Sequence, residues 1–277
     1  MFSSNINAKE IARRIGEFRR RAEVGVQDTD CIKEISLIFG DVYSFPVEEM
    51  KTYAVGTKFF RARAIDDEDT IIPLRTIGSV TDAWEPPAEY VRIQGRLNRI
   101  GQSILYCCPE DPILAIDEAR ARGNKHVAIM VYRSVRVVNV TLLGDYENST
   151  LPKDHISHMF FSFLEEEFGR EVPSGQEQIY SITRTVADTF FNYPEQDAWC
   201  YRSVQSPQKF NTAFLPGKAK QCLELSGVMI CDLGATLPDQ LCVKAVVDFD
   251  RDTGEARYHA IGSNEQKQLF PEISGVD

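Results

Sequence analysis

Apolar positions along the chain follow two periods. In "NINAKEIARRIGEFRRRAEVG" Ile11, Ile15, Phe18 and Ala22 recur at helical spacing, with Gly25 placed to end the helix. "DTDCIKEISLIFG" predicts a second, shorter helix with Thr29 or Asp30 as its cap and Gly40 as its stop, and Pro46 then breaks the pattern. Residues 1–50 therefore read as a helical extension. From Lys58 the runs shorten. "TKFFRARAI", "SILYCC", "HVAIMVYR" and "VRVVNVTLL" predict strands, and "SVTDAWEPPAEY" is a loop stiffened by Pro86 and Pro87. "DPILAIDEARAR" predicts a helix capped by Asp111, with Pro112 at its first position and Gly123 closing it. Two more helices follow, in "HISHMFFSFLEEEF" and in "QIYSITRTVADTFFN", where Ile179, Ile182, Val186 and Phe190 lie near helical spacing. "AWCYRSV" and "TAFLP" add strands, and "VKAVVDFDRDTGEARYHAI" reads as a hairpin turning at Asp252, Thr253 and Gly254. Strands and helices are interspersed without a βαβ rhythm. That order predicts an α+β fold with a mixed β-sheet core over residues 51–277, closing on the C-terminal hairpin.

Composition narrows this little. A hydrophobic fraction of 43% with 26% charged residues is ordinary for a globular protein. The formal net charge of −10 argues against direct nucleic-acid binding, which needs clustered Lys and Arg. The local exception is Lys9, Arg13, Arg14, Arg19, Arg20 and Arg21, whose first reading is a solvated helix face. No apolar stretch nears the roughly 20 residues of a membrane span, and the amino terminus lacks a signal-peptide core. Seven irregularly spaced cysteines, two of them adjacent, form no metal pair; they predict reduced thiols packed as small hydrophobes in a cytoplasmic protein.

Chemistry concentrates in "GRLNRIGQSILY" followed by "AIDEAR". This pair resembles the core of the RES domain family. "FFRARA" and "WEPPAEY" match the approach to that core, and "WCYRSVQSPQKFNTAFL" resembles the family's C-terminal motif, so the resemblance covers about residues 58–216. It implies a fold similar to ADP-ribosyltransferases and an enzyme that consumes NAD as substrate, with no metal. The activity expected is a glycohydrolase or phosphorylase cleaving the nicotinamide–ribose bond, typically the toxin of a toxin–antitoxin pair. The alternatives are ADP-ribosyl transfer to a protein or nucleic acid, and a regulatory module that binds NAD without turnover. An Xre-type antitoxin is the partner this implies, with the basic first helix as one docking surface. Homodimer formation stays open.

The resemblance also implies roles for individual residues. Glu118 matches the family's glutamate, and a carboxylate stabilises the oxocarbenium-like sugar formed as nicotinamide leaves. Alone, Glu118 would read as a solvated partner of Arg122 at i,i+4. Arg61 matches the first arginine, able to hold pyrophosphate or carboxamide by two parallel hydrogen bonds, with Arg63 its confusable neighbour. Arg96 and Asn98 fall in the "GRxNxxG" loop and orient ligand or brace the site. Tyr106 faces the nicotinamide end of NAD, and Ser203 offers a hydroxyl to ribose or carboxamide. Asn211, counted with the NAD-binding residues, and Phe214 close the last motif. Leu97 and Ala62 depart from the aromatic residues that many of the family's toxins carry at these positions. His155 and His158 have i,i+3 spacing, but nothing completes a metal site around them. No "GxGxxG" after a strand, P-loop or "GxSxG" elbow occurs.

Overall fold

In a computed structural model, which describes residues 7–24, 28–39, 50–66, 72–144, 155–173, 175–234 and 240–273, the spacing of Ile11, Phe18 and Ala22 is realised as α1 (Ala8–Val24), with all three side chains buried. The second predicted helix is α2 (Asp28–Phe39). Because α2 already begins at Asp28, Thr29 and Asp30 lie inside its first turn and neither caps it. Gly25, Gly40 and Pro46, the expected breaks, lie outside the described residues.

The chain forms two units. One comprises Met1–Thr52, Pro87–Ser103 and Asn139–Ala213; the other comprises Tyr53–Pro86, Ile104–Val138 and Phe214–Asp277. In the first, α1 and α2 pack with α4 (His155–Gly169) and α5 (Tyr180–Phe190). Aromatic rings form the seam: Phe39 meets Phe160 edge-on at 4.8 Å, and Phe18 lies 6.2 Å from Phe163. Strands β1 (Lys51–Tyr53), β5 (Val138–Leu143), β6 (Ala198–Arg202) and β7 (Phe210–Phe214) follow one another in that spatial order. β5 and β6 run parallel, Val140 opposite Ala198.

The basic residues of α1 lie largely on the solvated face expected, Lys9, Arg13, Arg20 and Arg21 being exposed, and Arg13 and Arg21 there are laced to carboxylates. Arg13 and Arg14 pair with Glu10, Arg21 with Glu34, and Arg19 reaches Glu166 at 2.7 Å and Glu167 at 2.6 Å. Lys9 and Arg20 stay exposed.

The second unit carries β3 (Leu105–Pro109), β2 (Lys58–Ile65), β4 (His126–Ser134), β8 (Leu223–Asp232), β9 (Val243–Phe249) and β10 (Ala256–Ala260), in that spatial order. The pairs β2–β3, β2–β4, β4–β8, β8–β9 and β9–β10 are antiparallel. With the parallel pair in the first unit, this is the mixed α+β architecture that the element order implies. β8 has no counterpart in the sequence-based reading. A bulge breaks its register, Val131 facing Gly227 and Tyr132 facing Leu225, so that Ser226 is the extra residue. Gly227, at φ 149°, is required there, since a Cβ would stand 2.9 Å from the Val247 carbonyl oxygen.

Between β3 and β4 runs α3 (Pro112–Glu118), capped by the Asp111 carboxylate, which accepts from the Leu114 amide at 2.8 Å. Its buried face, Leu114, Ala115 and Ile116, packs with Phe60, Cys108, Val127 and Ile129. Each large apolar side chain in that core contributes about 1.5–3 kcal/mol relative to exposure. The helix ends earlier than the expected Gly123: Arg120 turns left-handed at φ 52° and its amide donates to the Asp117 carbonyl. A short 3-10 turn over Ala121–Gly123 follows. Short helices α6 (Ala219–Cys222) and α7 (Asn264–Leu269) complete the chain. Among the described residues no helix is long and apolar enough to cross a membrane, and none of the seven cysteines is in a disulfide, six of them being buried.

Among the described residues, the α1 ion pair that meets a buried carboxylate is that to Glu167, its side chain 2% exposed. Arg19→Met should therefore cost about 1–3 kcal/mol, since Arg170, 3.9 Å away, still faces that carboxylate, whereas Arg13→Ala, between exposed groups, should leave stability almost unchanged. Urea unfolding of the two variants checks the difference.

Candidate active site

β2 pairs with β4 along its whole length, from Lys58↔Arg133 to Ile65↔His126. With β3 it shares two residue pairs, Phe59↔Pro109 and Phe60↔Cys108, and the ladder then stops. Arg61 and Tyr106 thus stand on the two arms of a fork, just past the last rung. Alternation along the strands places Cys107 on Arg61's face and Tyr106 on the Cys108 face, the side that α3 covers.

Arg61 is half-buried, and its Nη1 donates to the Trp84 carbonyl at 2.5 Å. The acceptor ends a 3-10 turn over Val80–Ala83 that the Asp82 carboxylate fixes by accepting from the amides of Gly78 (3.0 Å) and Ser79 (2.8 Å). Tyr132, fully buried on β4, donates its hydroxyl to the Ala83 carbonyl, and its ring lies 5.2 Å from that of Trp84. Burial pushes the Tyr132 hydroxyl and the Cys107 thiol far above their ordinary pKa values, and the Arg61 charge opposes both shifts. Cys107 is a packed thiol, not a nucleophile. Arg63, the neighbour on the same strand, donates to the Thr76 carbonyl at 3.1 Å. Both arginines therefore brace the segment between β2 and the "WEPP" stretch.

Glu118 is the last residue of α3 and is half-buried. Arg122 pairs with Asp117, through Nε at 2.5 Å and Nη2 at 3.2 Å. The tight turn at Arg120 brings Arg122 back onto Asp117 and past Glu118. Glu118's charge reaches the Cys108 thiol, where it adds to burial in raising the pKa. Tyr106 and Glu118 thus share one side of β3.

Arg96, Asn98, Ser203 and Asn211 belong to the other unit. Arg96 is 9% exposed and donates to two main-chain carbonyls at the end of α4, Glu167 (3.1 Å) and Arg170 (2.9 Å). Its guanidinium also lies over the rings of Tyr180 (5.1 Å) and Tyr201 (5.9 Å). Those contacts make Arg96 a brace: it caps orphan carbonyls of a helix end. Asn98 closes its own turn, its carbonyl accepting from Gly95 at 3.1 Å and its amide donating to the Arg99 carbonyl at 3.2 Å. Gly101, at φ 75°, completes that loop. Ser203 is 2% exposed; its Oγ accepts from the amides of Gln205 (3.1 Å) and Ser206 (3.0 Å), tightening the turn into β7. Asn211 is buried on β7. His155 and His158 are exposed on α4, His158 facing Ser162 at 3.4 Å.

Three residues near the fork had no place in the sequence-based site: Trp84, Glu85 and Tyr132. The Trp-Glu-Pro-Pro string was the available signal, a charged residue fixed between an aromatic and two prolines.

None of the curated proteins compared with the chain matches it. The model of the RES domain matches residues 73–231, more than half of the 277 residues. Arg96, Asn98, Tyr106, Glu118, Ser203 and Asn211 fall within the matched stretch, and Arg61 precedes it. With the GRLNRIG loop, the Tyr106 strand and the capped Glu118 helix all inside that match, the chain belongs to the RES domain family.

Proposed function

We propose that this protein consumes NAD by breaking the bond between nicotinamide and ribose, and that it acts as a toxin held in check by an antitoxin. Membership of the RES domain family carries this reading. The setting of Glu118, at the end of a rigid, capped helix, supports it.

The departing nicotinamide takes the electron pair of the C–N bond onto its ring nitrogen, which loses its positive charge. That charge passes to the sugar carbon and ring oxygen, and Glu118 stabilises it from the α3 side. Tyr106 frames the nicotinamide ring from the same side of β3. Arg61 works from the other arm of the fork. Its bond to Trp84 uses one of five N–H groups and leaves others for the ligand. The family resemblance counts Ser203 and Asn211 among the NAD-binding residues, and Arg96 and Asn98 hold the GRLNRIG loop in shape. The oxygen of water or of inorganic phosphate then bonds to the sugar carbon, and with water the proton passes to solvent.

With NAD labelled in its ADP-ribose part, hydrolysis or phosphorolysis leaves label in small molecules, transfer leaves it on a macromolecule, and a binding module leaves NAD intact.

Glu118→Gln should lower kcat for nicotinamide release by on the order of 10²-fold or more with a smaller change in KM; equal turnover by the variant would remove Glu118 from the chemistry. Arg96→Lys, which keeps the charge and loses the two-carbonyl grip, should cost about 1–3 kcal/mol of stability and lower hydrogen-exchange protection over residues 94–101.

A further inference from the structure

Glu85 is the outlier of the second unit. Its Oε2 is buried and makes no hydrogen bond within the protein. An unmet buried carboxylate oxygen is expensive, and proteins keep one where a ligand supplies the donor. Its neighbours are firmly held. Trp84, the preceding residue, gives its carbonyl to Arg61 and stacks near Tyr132, with the Lys220 ammonium 5.5 Å from its ring. Arg61 and Glu85 act with opposite sign on the same two buried groups, the Cys107 thiol and the Tyr132 hydroxyl. Yet among the described residues no ion pair joins them. A half-buried cation and a half-buried anion thus act on the same buried groups without pairing with each other.

We infer that Arg61 and Glu85 together bind the carboxamide of nicotinamide, and that Glu85 makes the protein choose the amide over the corresponding acid. The inference rests on the NAD reading above. A primary carboxamide presents one acceptor oxygen beside two N–H donors. Arg61 donates to the oxygen and Glu85 accepts from the nitrogen, so both halves of the group are satisfied. Nicotinate presents a carboxylate instead, which has no proton to give. It would meet the buried oxygen of Glu85 as a second negative charge, and the two would repel. Discrimination by such a pair comes chiefly from what it rejects.

The test compares kcat/KM for NAD and for nicotinic acid adenine dinucleotide. Wild type should prefer NAD by on the order of 10²-fold or more. Glu85→Gln, of equal size and able to donate to a carboxylate, should bring the two rates within about tenfold of each other, mostly by raising the acid's rate. Glu85→Asp, which keeps the charge, should keep the preference and thereby rule out general damage. An equal loss on both dinucleotides in Glu85→Gln would overturn the inference, because Glu85 would then serve a group the two share. Calorimetry with nicotinamide and nicotinate on the same three proteins gives an answer without turnover. Selective binding of nicotinamide, relaxed in Glu85→Gln, upholds the inference even if NAD is not consumed, in which case the proposed reaction alone falls. Binding of both or neither by wild type overturns it.

Discussion

A ladder that stops after two rungs sets the terms for the rest of this structure. Phe59 and Phe60 pair with Pro109 and Cys108, and both phenylalanines are buried, so the base of the fork is locked by packing as well as by hydrogen bonds. Beyond it the arms are free to carry different neighbours. β2 remains zipped to β4 on its far side, which keeps its arm straight without help from β3. β3 leads through Glu110, at φ 57°, into the cap of α3. The left-handed residue is steadied by its own carboxylate, which accepts from the Lys58 amide at 2.7 Å. The opening of the fork and the placement of Glu118 therefore share one cause, the local geometry where β3 ends.

Arginine does much of the internal joinery. Arg61, Arg63 and Arg96 each donate to main-chain carbonyls that no helix or strand satisfies. A planar guanidinium with several donors suits that task better than an ammonium, because it can serve two acceptors in fixed directions. Arg96 shows the consequence most clearly. It stands in the motif that gives the family its recognisable loop, yet its hydrogen bonds run to the end of α4. Through Glu167, whose carbonyl takes Arg96 and whose carboxylate takes Arg19, that loop is linked mechanically to the first helix of the chain.

Much of this was legible in the amino acids, and the limits have physical causes. The cap of α3 was readable because Asp111 and Pro112 act within one turn. β2 and β4 were readable as apolar runs between turn residues. β8 was not, because Ser226 and Gly227 interrupt its alternation at the bulge, and the bulge answers to contacts with Val247 and Phe270 far along the chain. At the candidate site, the motif residues were identified but not their partners. Sequence spacing could not tell that Arg122 turns to Asp117, that Arg96 reaches carbonyls some seventy residues away, or that one carboxylate oxygen of Glu85 is buried. Each depends on which elements the fold packs against a given side chain.

The cysteines have a practical use that their inertness creates. Burial holds Cys231 at a pKa of about 12 and lifts Cys107 and Cys108 higher still, so none of the three offers a thiolate while the fold is closed. Cys107 and Cys108 sit side by side where β3 leaves the base of the fork. A maleimide or iodoacetamide would label them only in molecules whose arms have come apart, which turns the chain's own sulfur atoms into a clock for that opening.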